Sequence, residues 1–177
     1  MIKKIIVVIA IVLGLYLIIG VIAPKDVSVE HTVEINKPLG EVFTYFDSLE
    51  NMEEWSPWQK KGFKTVHEYI NEDTSEGSIH RWASTDEDRG EAEHITKRVI
   101  KNKSITSDLN FKKPYKLVIN ESLEFEPTAS GTNVTFTAET HYGFNESIKM
   151  MFSGVNKLIK KDVQDALTYA KDALESK

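Results

Sequence analysis

The feature that most constrains this chain is an apolar segment close to its N-terminus. Residues 5–23 read IIVVIAIVLGLYLIIGVIA, nineteen consecutive residues without a charged side chain. As an α-helix this segment would be about 28 Å long, which is close to the hydrocarbon thickness of a bilayer. It offers no polar face to water, so it does not suit the surface of a soluble domain. The segment therefore predicts a helix that crosses a membrane.

A cleaved signal peptide is the alternative interpretation of this segment. Signal peptides have an apolar core of about 7 to 15 residues that ends in a small-x-small cleavage site. Here the core is longer, and Pro24 directly follows Ala23. We therefore expect an uncleaved anchor over residues 1–24. Because Lys3 and Lys4 precede it, the positive-inside rule places the N-terminus in the cytoplasm and the rest of a single-pass chain outside the cell membrane.

The charge of the remaining chain makes several kinds of partner unfavourable. Without Lys3 and Lys4, 20 of the 22 basic residues stand against 27 acidic residues, a net charge of −7. Such a surface disfavours nucleic acid and broad docking on anionic headgroups. The chain has no cysteine, which excludes disulfides, thiol nucleophiles and cysteine-bound metals.

The sequence after the anchor alternates between strand and helix patterns. Residues 27–35 (VSVEHTVEI) alternate apolar and polar side chains, which predicts a half-buried strand. Pro38 then opens a short helix, and a second helical turn over residues 49–55 ends at Ser56-Pro57. Six further strands are predicted at residues 65–70, 78–84, 90–100, 104–111, 115–126 and 132–142. Hairpin turns are predicted at residues 101–103 and 128–131, so the strands form an antiparallel meander.

The chain ends in its longest helical pattern. From Asn145, a candidate N-cap, to Leu174, apolar residues recur every three or four positions. We expect one long amphipathic helix that packs on the apolar face of the sheet.

This order of elements resembles the helix-grip fold of the START-like superfamily. The nearest resemblance is to the polyketide cyclase/dehydrase-like (SRPBCC) proteins. It is carried by VEINKPLGEVFTYFDSLENMEEWSPW (residues 33–58), the strand at residues 77–82, and MMFSGVNKLIKKD (residues 150–162). The resemblance implies an α+β domain over residues 25–177, with a curved antiparallel sheet wrapped around the C-terminal helix and a cavity between them.

The resemblance also places Trp55 and Trp58 at the mouth of this cavity. They would close the core, line a pocket, or contact the membrane, and we expect them to cluster with aromatic and methionine side chains of the helices. The expected cluster members are Phe43, Phe46, Met151 and Phe152. The candidate pocket-lining residues are Trp55, Trp58, Trp82, Phe111, Met151, Phe152 and Val155. In the strand around Trp82, alternation places His80 on the same face and Arg81 on the other. We expect Arg81 on the convex surface, and a position in a wet cavity is the alternative.

No catalytic signature is visible in the sequence. The five histidines form no HxxxH or HxH pair, so neither a metal nor another cofactor is expected. Glu91, Glu93 and His94 are close in sequence, but alternation places His94 on the opposite face from both glutamates. The sequence thus favours a non-catalytic, membrane-anchored domain that binds a hydrophobic small molecule or lipid. A cyclase or dehydratase-type enzyme and a protein-interaction module with a filled cavity remain alternatives.

Overall fold

The computed structural model describes residues 1–58, 65–71, 76–85, 90–113 and 116–176. The first element is a single helix, α1 (Ile2–Ile22), whose apolar side chains are exposed almost throughout. Gly20 is its one buried residue. By length and composition α1 meets the requirements of a membrane span, and a signal sequence would meet the same requirements.

One antiparallel sheet of seven strands forms the body of the domain, in the order β1-β7-β6-β5-β4-β3-β2. Its strands are β1 (Asp26–Ile35), β2 (Thr65–Ile70), β3 (Ile79–Ser84), β4 (Glu91–Ile100), β5 (Ser104–Lys113), β6 (Leu117–Pro127) and β7 (Thr132–His141). Two short helices, α2 (Leu39–Asp47) and α3 (Met52–Trp55), lie between β1 and β2 in sequence. All seven predicted strands are confirmed, although Tyr115, the predicted start of β6, lies outside the described residues.

Both predicted hairpin turns are present. At the β4–β5 turn, Asn102 has a φ of +58° and the Lys103 N–H donates to the Ile100 carbonyl over 2.9 Å. At the β6–β7 turn, the Thr128 N–H donates to the Gly131 carbonyl over 2.9 Å. A Cβ at Gly131 would overlap the Ile35 carbonyl oxygen, so this turn requires glycine.

The C-terminal helix differs from its prediction. The structure has two helices, α4 (Phe144–Ser153) and α5 (Val155–Glu175), and Gly154 between them adopts a left-handed φ of +77°. The Ser153 hydroxyl stabilises this turn, since it donates to the Met150 carbonyl at 3.0 Å and accepts the Val155 N–H at 3.2 Å. The predicted N-cap is also wrong, because α4 is capped by Gly143 and not by Asn145.

Helix α5 forms the centre of the grip. It packs along β1 and also contacts α3 and β7. Its buried face, like the inward face of β6, is almost entirely apolar, with Glu121 and Asp162 as the charged exceptions. The buried residues of α5 are Ile159, Asp162, Val163, Ala166, Leu167, Ala170 and Leu174, and those of β6 are Leu117, Ile119, Glu121, Leu123 and Phe125. The predicted α+β helix-grip architecture is confirmed.

Candidate ligand cavity

A small cavity lies between the two short helices and the inward face of β4 to β7. Its volume is about 20 Å³, which is room for about one water molecule. Its apolar lining consists of Phe46, Leu49, Met52, Trp55, Ile105, Leu123 and Phe136, and its polar lining of Asp47, His94, Thr96, Ser107 and Glu121.

Aromatic rings close the helical side of the cavity. The indole of Trp55 is 2% exposed, and its ring centroid lies 5.2 Å from that of Phe46 and 6.4 Å from that of Phe136. Phe46 also packs on Phe125, with ring centroids 5.6 Å apart. Helix α3 ends directly after Trp55, at the Ser56-Pro57 step, so the predicted stop signal fixes the end of the helix that carries this ring.

Three neighbouring strands supply the polar side of the cavity. Nε2 of His94 on β4 lies 3.1 Å from Oε2 of Glu121 on β6, and the Ser107 hydroxyl on β5 donates to the same oxygen over 3.4 Å. All three side chains are buried. They meet because each takes an inward position on its strand and the three strands are adjacent in the sheet.

Three polar atoms of the lining residues have no hydrogen-bond partner within the described part of the chain. They are Nε1 of Trp55, Nδ1 of His94 and Oε1 of Glu121, and all three are buried. Buried polar atoms in folded proteins are nearly always hydrogen-bonded, so unpaired ones require an explanation. The indole offers a donor, the carboxylate an acceptor, and the imidazole either one according to its tautomer. All three residues line the same cavity, which has room for about one water molecule or a polar group of that size.

A second cluster, in which only His80 is fully buried, lies on β2 and β3. Nδ1 of His67 is 2.9 Å from Nε2 of His80, and the ring of Tyr69 stacks on His80 with centroids 4.3 Å apart. Burial, with a smaller contribution from His67, lowers the pKa of His80 to about 3, so its imidazole is neutral at physiological pH. On the opposite face, Arg81 forms an ion pair with Glu93 at 2.5 Å, which confirms its predicted outward position.

The predicted pocket-lining residues lie in different parts of the structure. Trp55 lines the cavity. Trp82 is buried beside His80 and lies edge-on to Phe111 at 6.3 Å, away from the cavity lining. Trp58 is half-buried and packs on the outside of the core. Phe111 lines a separate open groove of about 340 Å³, whose other walls come from the start of β6, the end of β7 and the first turn of α4.

The expected position of Met151 and Phe152 is wrong. These side chains are 46% and 74% exposed, whereas the preceding Met150 is 4% exposed. Successive helix residues point about 100° apart, so Met150 takes the inward position and turns the next two outward. Val155 is half-buried on the first turn of α5 and does not line the cavity. The aromatic cluster around Trp55 therefore contains Phe46 and its neighbours but not Met151 or Phe152.

Sequence reasoning missed the His94–Glu121 pair, although each residue left a signal. Glu121 interrupts the inward apolar alternation of β6, and His94 has an inward position between Ala92 and Thr96. Each strand alone gives no reason to bring the two together. Among the described residues, no group of three His, Asp or Glu side chains is arranged to hold a metal ion.

Comparison with known families agrees with this architecture. Residues 26–175 match the model of the polyketide cyclase / dehydrase and lipid transport family, and the chain belongs to this family. No curated protein matches the chain.

Several solved structures share the fold. An uncharacterised protein from Rhizobium leguminosarum aligns with a TM-score of 0.65 and 14% identity, over 86% of this chain and 97% of that chain. The di-domain ARO/CYC StfQ from the steffimycin biosynthetic pathway aligns with a TM-score of 0.63 and 14% identity, over 86% of this chain and 51% of that chain. Ara h 8.0201 aligns with a TM-score of 0.59 and 10% identity, over 86% of this chain and 99% of that chain. At these identities the similarity shows the fold alone.

Proposed function

We propose that residues 25–177 form a binding domain for a small, largely apolar molecule that carries one polar group. The observation that supports this most strongly is the cavity, in which mostly apolar walls surround buried, unpaired atoms of Trp55, His94 and Glu121. Apolar walls with a few convergent polar atoms are typical of small-molecule sites. Membership of a family described by cyclisation and lipid transport supports the same class of ligand.

A ligand larger than water requires one wall of the cavity to move. Helix α3 is the wall best suited to this, because it is only four residues long and contributes Met52 and Trp55 to the lining. Methionine side chains adapt their shape at low cost. In this proposal α3 moves away from the sheet when the ligand enters, and Leu49 and Met52 then line the enlarged pocket.

The proposal includes an anchoring role for residues 5–23. The exposed apolar surface of α1 supports insertion in a bilayer, and Lys3 and Lys4 favour a cytoplasmic N-terminus with the domain outside. Protease added to intact cells should then degrade the domain. A domain that is degraded only after lysis would contradict this topology, and an N-terminus found at residue 24 or beyond would mean that α1 is a cleaved signal.

Native mass spectrometry of the fragment 25–177 tests ligand binding. The relatives from Rhizobium and Ara h 8.0201 correspond to this region over almost their whole chains, so the fragment is expected to fold without α1. We expect a co-purifying small molecule that is lost in Ile105→Phe, which fills the cavity. Thr106→Phe, on the outer face of the same strand, should retain it. A ligand-free wild-type fragment that also does not bind the apolar probe 1-anilinonaphthalene-8-sulfonate would overturn the proposal and favour an interaction module with a filled cavity.

A second candidate function is acid–base catalysis, and the His94–Glu121 pair favours it. A buried imidazole and carboxylate 3.1 Å apart can transfer a proton to or from a bound molecule. Glu121→Gln keeps the shape and one hydrogen bond but removes the base. If the domain only binds its ligand, the Glu121→Gln fragment should co-purify with the same molecule as the wild-type fragment. An enzyme would instead accumulate a molecule that the wild-type fragment converts.

A further inference from the structure

Helix α4 connects β7 to α5. It lies at the end of the domain that adjoins the last residues of α1. The Tyr142 N–H, just before α4, donates over 2.7 Å to the carbonyl of Lys25, which is three residues after the end of α1. The hydroxyl of Tyr142 donates over 2.8 Å to Oδ1 of Asn156, on the first turn of α5. Both ends of α4 are therefore held at Tyr142, beside the end of α1.

The first turn of α4 contacts α1 at residues that precede the C-terminal end of α1. The Tyr16 hydroxyl donates to Oδ1 of Asn145 over 2.6 Å, and the rings of Tyr16 and Phe144 lie edge to face at 5.8 Å. The ring of Phe144 covers the backbone of Gly20. Tyr16 lies six residues before Ile22, which is about 9 Å along a helix axis. If α1 crosses a bilayer, α4 thus begins at the depth of the headgroups or just beneath them.

The same end of the domain exposes large apolar side chains. Met151 is 46% exposed, Phe152 is 74% exposed and Leu158 on α5 is 51% exposed. Ile148 lies on the same side of α4, three residues before Met151, and is half-buried. After α1, the exposed large apolar side chains of the described residues are Met151, Phe152 and Leu158 at this end, together with Val66, Ile100 and Val118.

Two lysines flank this apolar surface, and two more lie at the first turn of α4. Lys149 and Lys157 are exposed on α4 and α5, and Lys112 and Lys116 are exposed at the groove that adjoins the first turn of α4. Among the nearby acidic groups, Glu91 forms an ion pair with Lys113 and Asp26 a hydrogen bond with His141, while Glu146 is exposed on α4 in the same groove as Lys112 and Lys116. The five lysines named here outnumber the three carboxylates by two, so this end is locally cationic, although the chain as a whole carries a net charge of −5.

We propose that α4 is an interfacial helix that docks the domain on an anionic lipid surface. Met151 and Phe152 enter the boundary between headgroups and acyl chains, and Lys112, Lys116, Lys149 and Lys157 contact lipid phosphates. Exposed apolar residues flanked by lysines are typical of helices that lie in this boundary. The proposal rests on the anchoring role of α1, and it adds a second membrane contact that fixes the orientation of the domain.

Spin labels on the full-length chain in nanodiscs test this proposal. The chain has no cysteine, so single substitutions place one label each. The sites are Phe152→Cys, Leu13→Cys in the middle of α1, and Ala129→Cys at the exposed β6–β7 turn, which is at the opposite end of the sheet. Collisions with oxygen report contact with lipid, and collisions with a water-soluble nickel chelate report contact with water. The nanodiscs contain either phosphatidylcholine alone or about one third phosphatidylglycerol.

We expect the label at residue 152 to be lipid-exposed in the anionic discs and the label at residue 129 to be in water. The contact at residue 152 should decrease in phosphatidylcholine discs and in the variant Lys149→Glu/Lys157→Glu. A label at residue 152 that is in water, or equally deep in both lipids, overturns the proposal. A label shielded from both reagents overturns it in favour of a second copy or a protein partner. A label at residue 13 in water would instead mean that the anchor itself is absent.

Discussion

The imidazole of His94 and the carboxylate of Glu121 meet at 3.1 Å inside the domain, on strands separated by β5. Both side chains are almost completely buried, yet each retains one atom without a partner among the described residues. Unpaired buried polar atoms are costly, and the adjoining cavity has room for about one water molecule or one polar group that can pair with them. The pair is therefore the feature that most favours a polar ligand group in the cavity.

Glu121→Ala should destabilise the domain by about 1 to 3 kcal/mol, because it leaves His94 and Ser107 without their shared acceptor. Replacing both members, as in His94→Phe/Glu121→Leu, should cost less than the single change, because an apolar pair needs no hydrogen bonds. Urea unfolding of the fragment 25–177 measures both. Glu124→Ala, exposed on the same strand, is the control and should change stability by less than about 0.5 kcal/mol. Equal stabilities for Glu121→Ala and Glu124→Ala would contradict this role of the pair.

Trp55→Ala should cost about 3 to 5 kcal/mol, because the indole is fully buried against Phe46 and Phe136. Trp58→Ala should cost clearly less, because its ring is only half-buried. Variants that retain a single tryptophan provide an independent measurement. Emission from Trp55 should be blue-shifted and poorly quenched by iodide, and emission from Trp58 should be red-shifted by comparison. Ready quenching of Trp55 would mean that α3 does not close the cavity.

The strands were predictable because a sheet with one wet face imposes a two-residue alternation on its sequence. This alternation and the turn residues locate β2 at the predicted boundaries and the other strands within about two residues of them. The break at Gly154 was not predictable in this way, since the apolar spacing continues from α4 into α5. The exposure of Met151 depends on that break and on Met150 taking the inward position.

The polar wall of the cavity could not be predicted from the sequence, for a different reason. Its residues are distant in sequence, and their meeting depends on strand register. In the β4–β5 pairing the register shifts between Glu91 and Ala92 and between Thr96 and Arg98, so that Lys112 of β5 and Lys97 of β4 have no partner across the ladder. A bulge adds a residue to one strand and leaves little trace in the alternation pattern. The sequence therefore predicted a cavity through family resemblance but not the His94–Glu121 pair within it.

Acid should weaken the domain through His80. Its folded-state pKa of about 3 lies below the unfolded value of about 6.5, so between these values the unfolded chain binds the proton and the folded chain does not. The stabilisation is complete above about pH 6.5 and is lost as the pH falls toward 3. This single group contributes a slope of up to about 1.4 kcal/mol per pH unit.

The variant His80→Phe isolates this effect, because it keeps a ring against Tyr69 but cannot be protonated. At neutral pH this variant also loses the hydrogen bond to His67, so its unfolding free energy at that pH does not report on the protonation of His80. The informative quantity is the slope of the unfolding free energy between pH 6 and 4, which should be smaller than in the wild type. Identical slopes would show that the folded protein protonates His80 normally.

Gly154→Ala should destabilise the domain by about 1 to 2 kcal/mol, the cost of a left-handed conformation for a residue with a Cβ. No atom lies within 4 Å of the Cβ position, so the cost arises from the backbone alone. Gly154→Asn should cost less, because asparagine tolerates this conformation better. Urea unfolding of both variants measures the difference. An alanine variant as stable as the wild type would mean that α4 and α5 are continuous, as the sequence pattern alone suggests.

Gly20 and Gly14 offer a matched test of the contact between α1 and α4. A Cβ at Gly20 would overlap the ring of Phe144, whereas a Cβ at Gly14 would meet no atom within 4 Å. Gly20→Leu should therefore push Phe144 away and loosen α4, and Gly14→Leu should leave the contact intact. Spin labels at Val12→Cys and Lys149→Cys in the full-length chain report the distance between the two helices. We expect a longer and broader distance distribution for Gly20→Leu and an unchanged one for Gly14→Leu. If both variants keep the wild-type distribution, Phe144 does not hold α4 against α1.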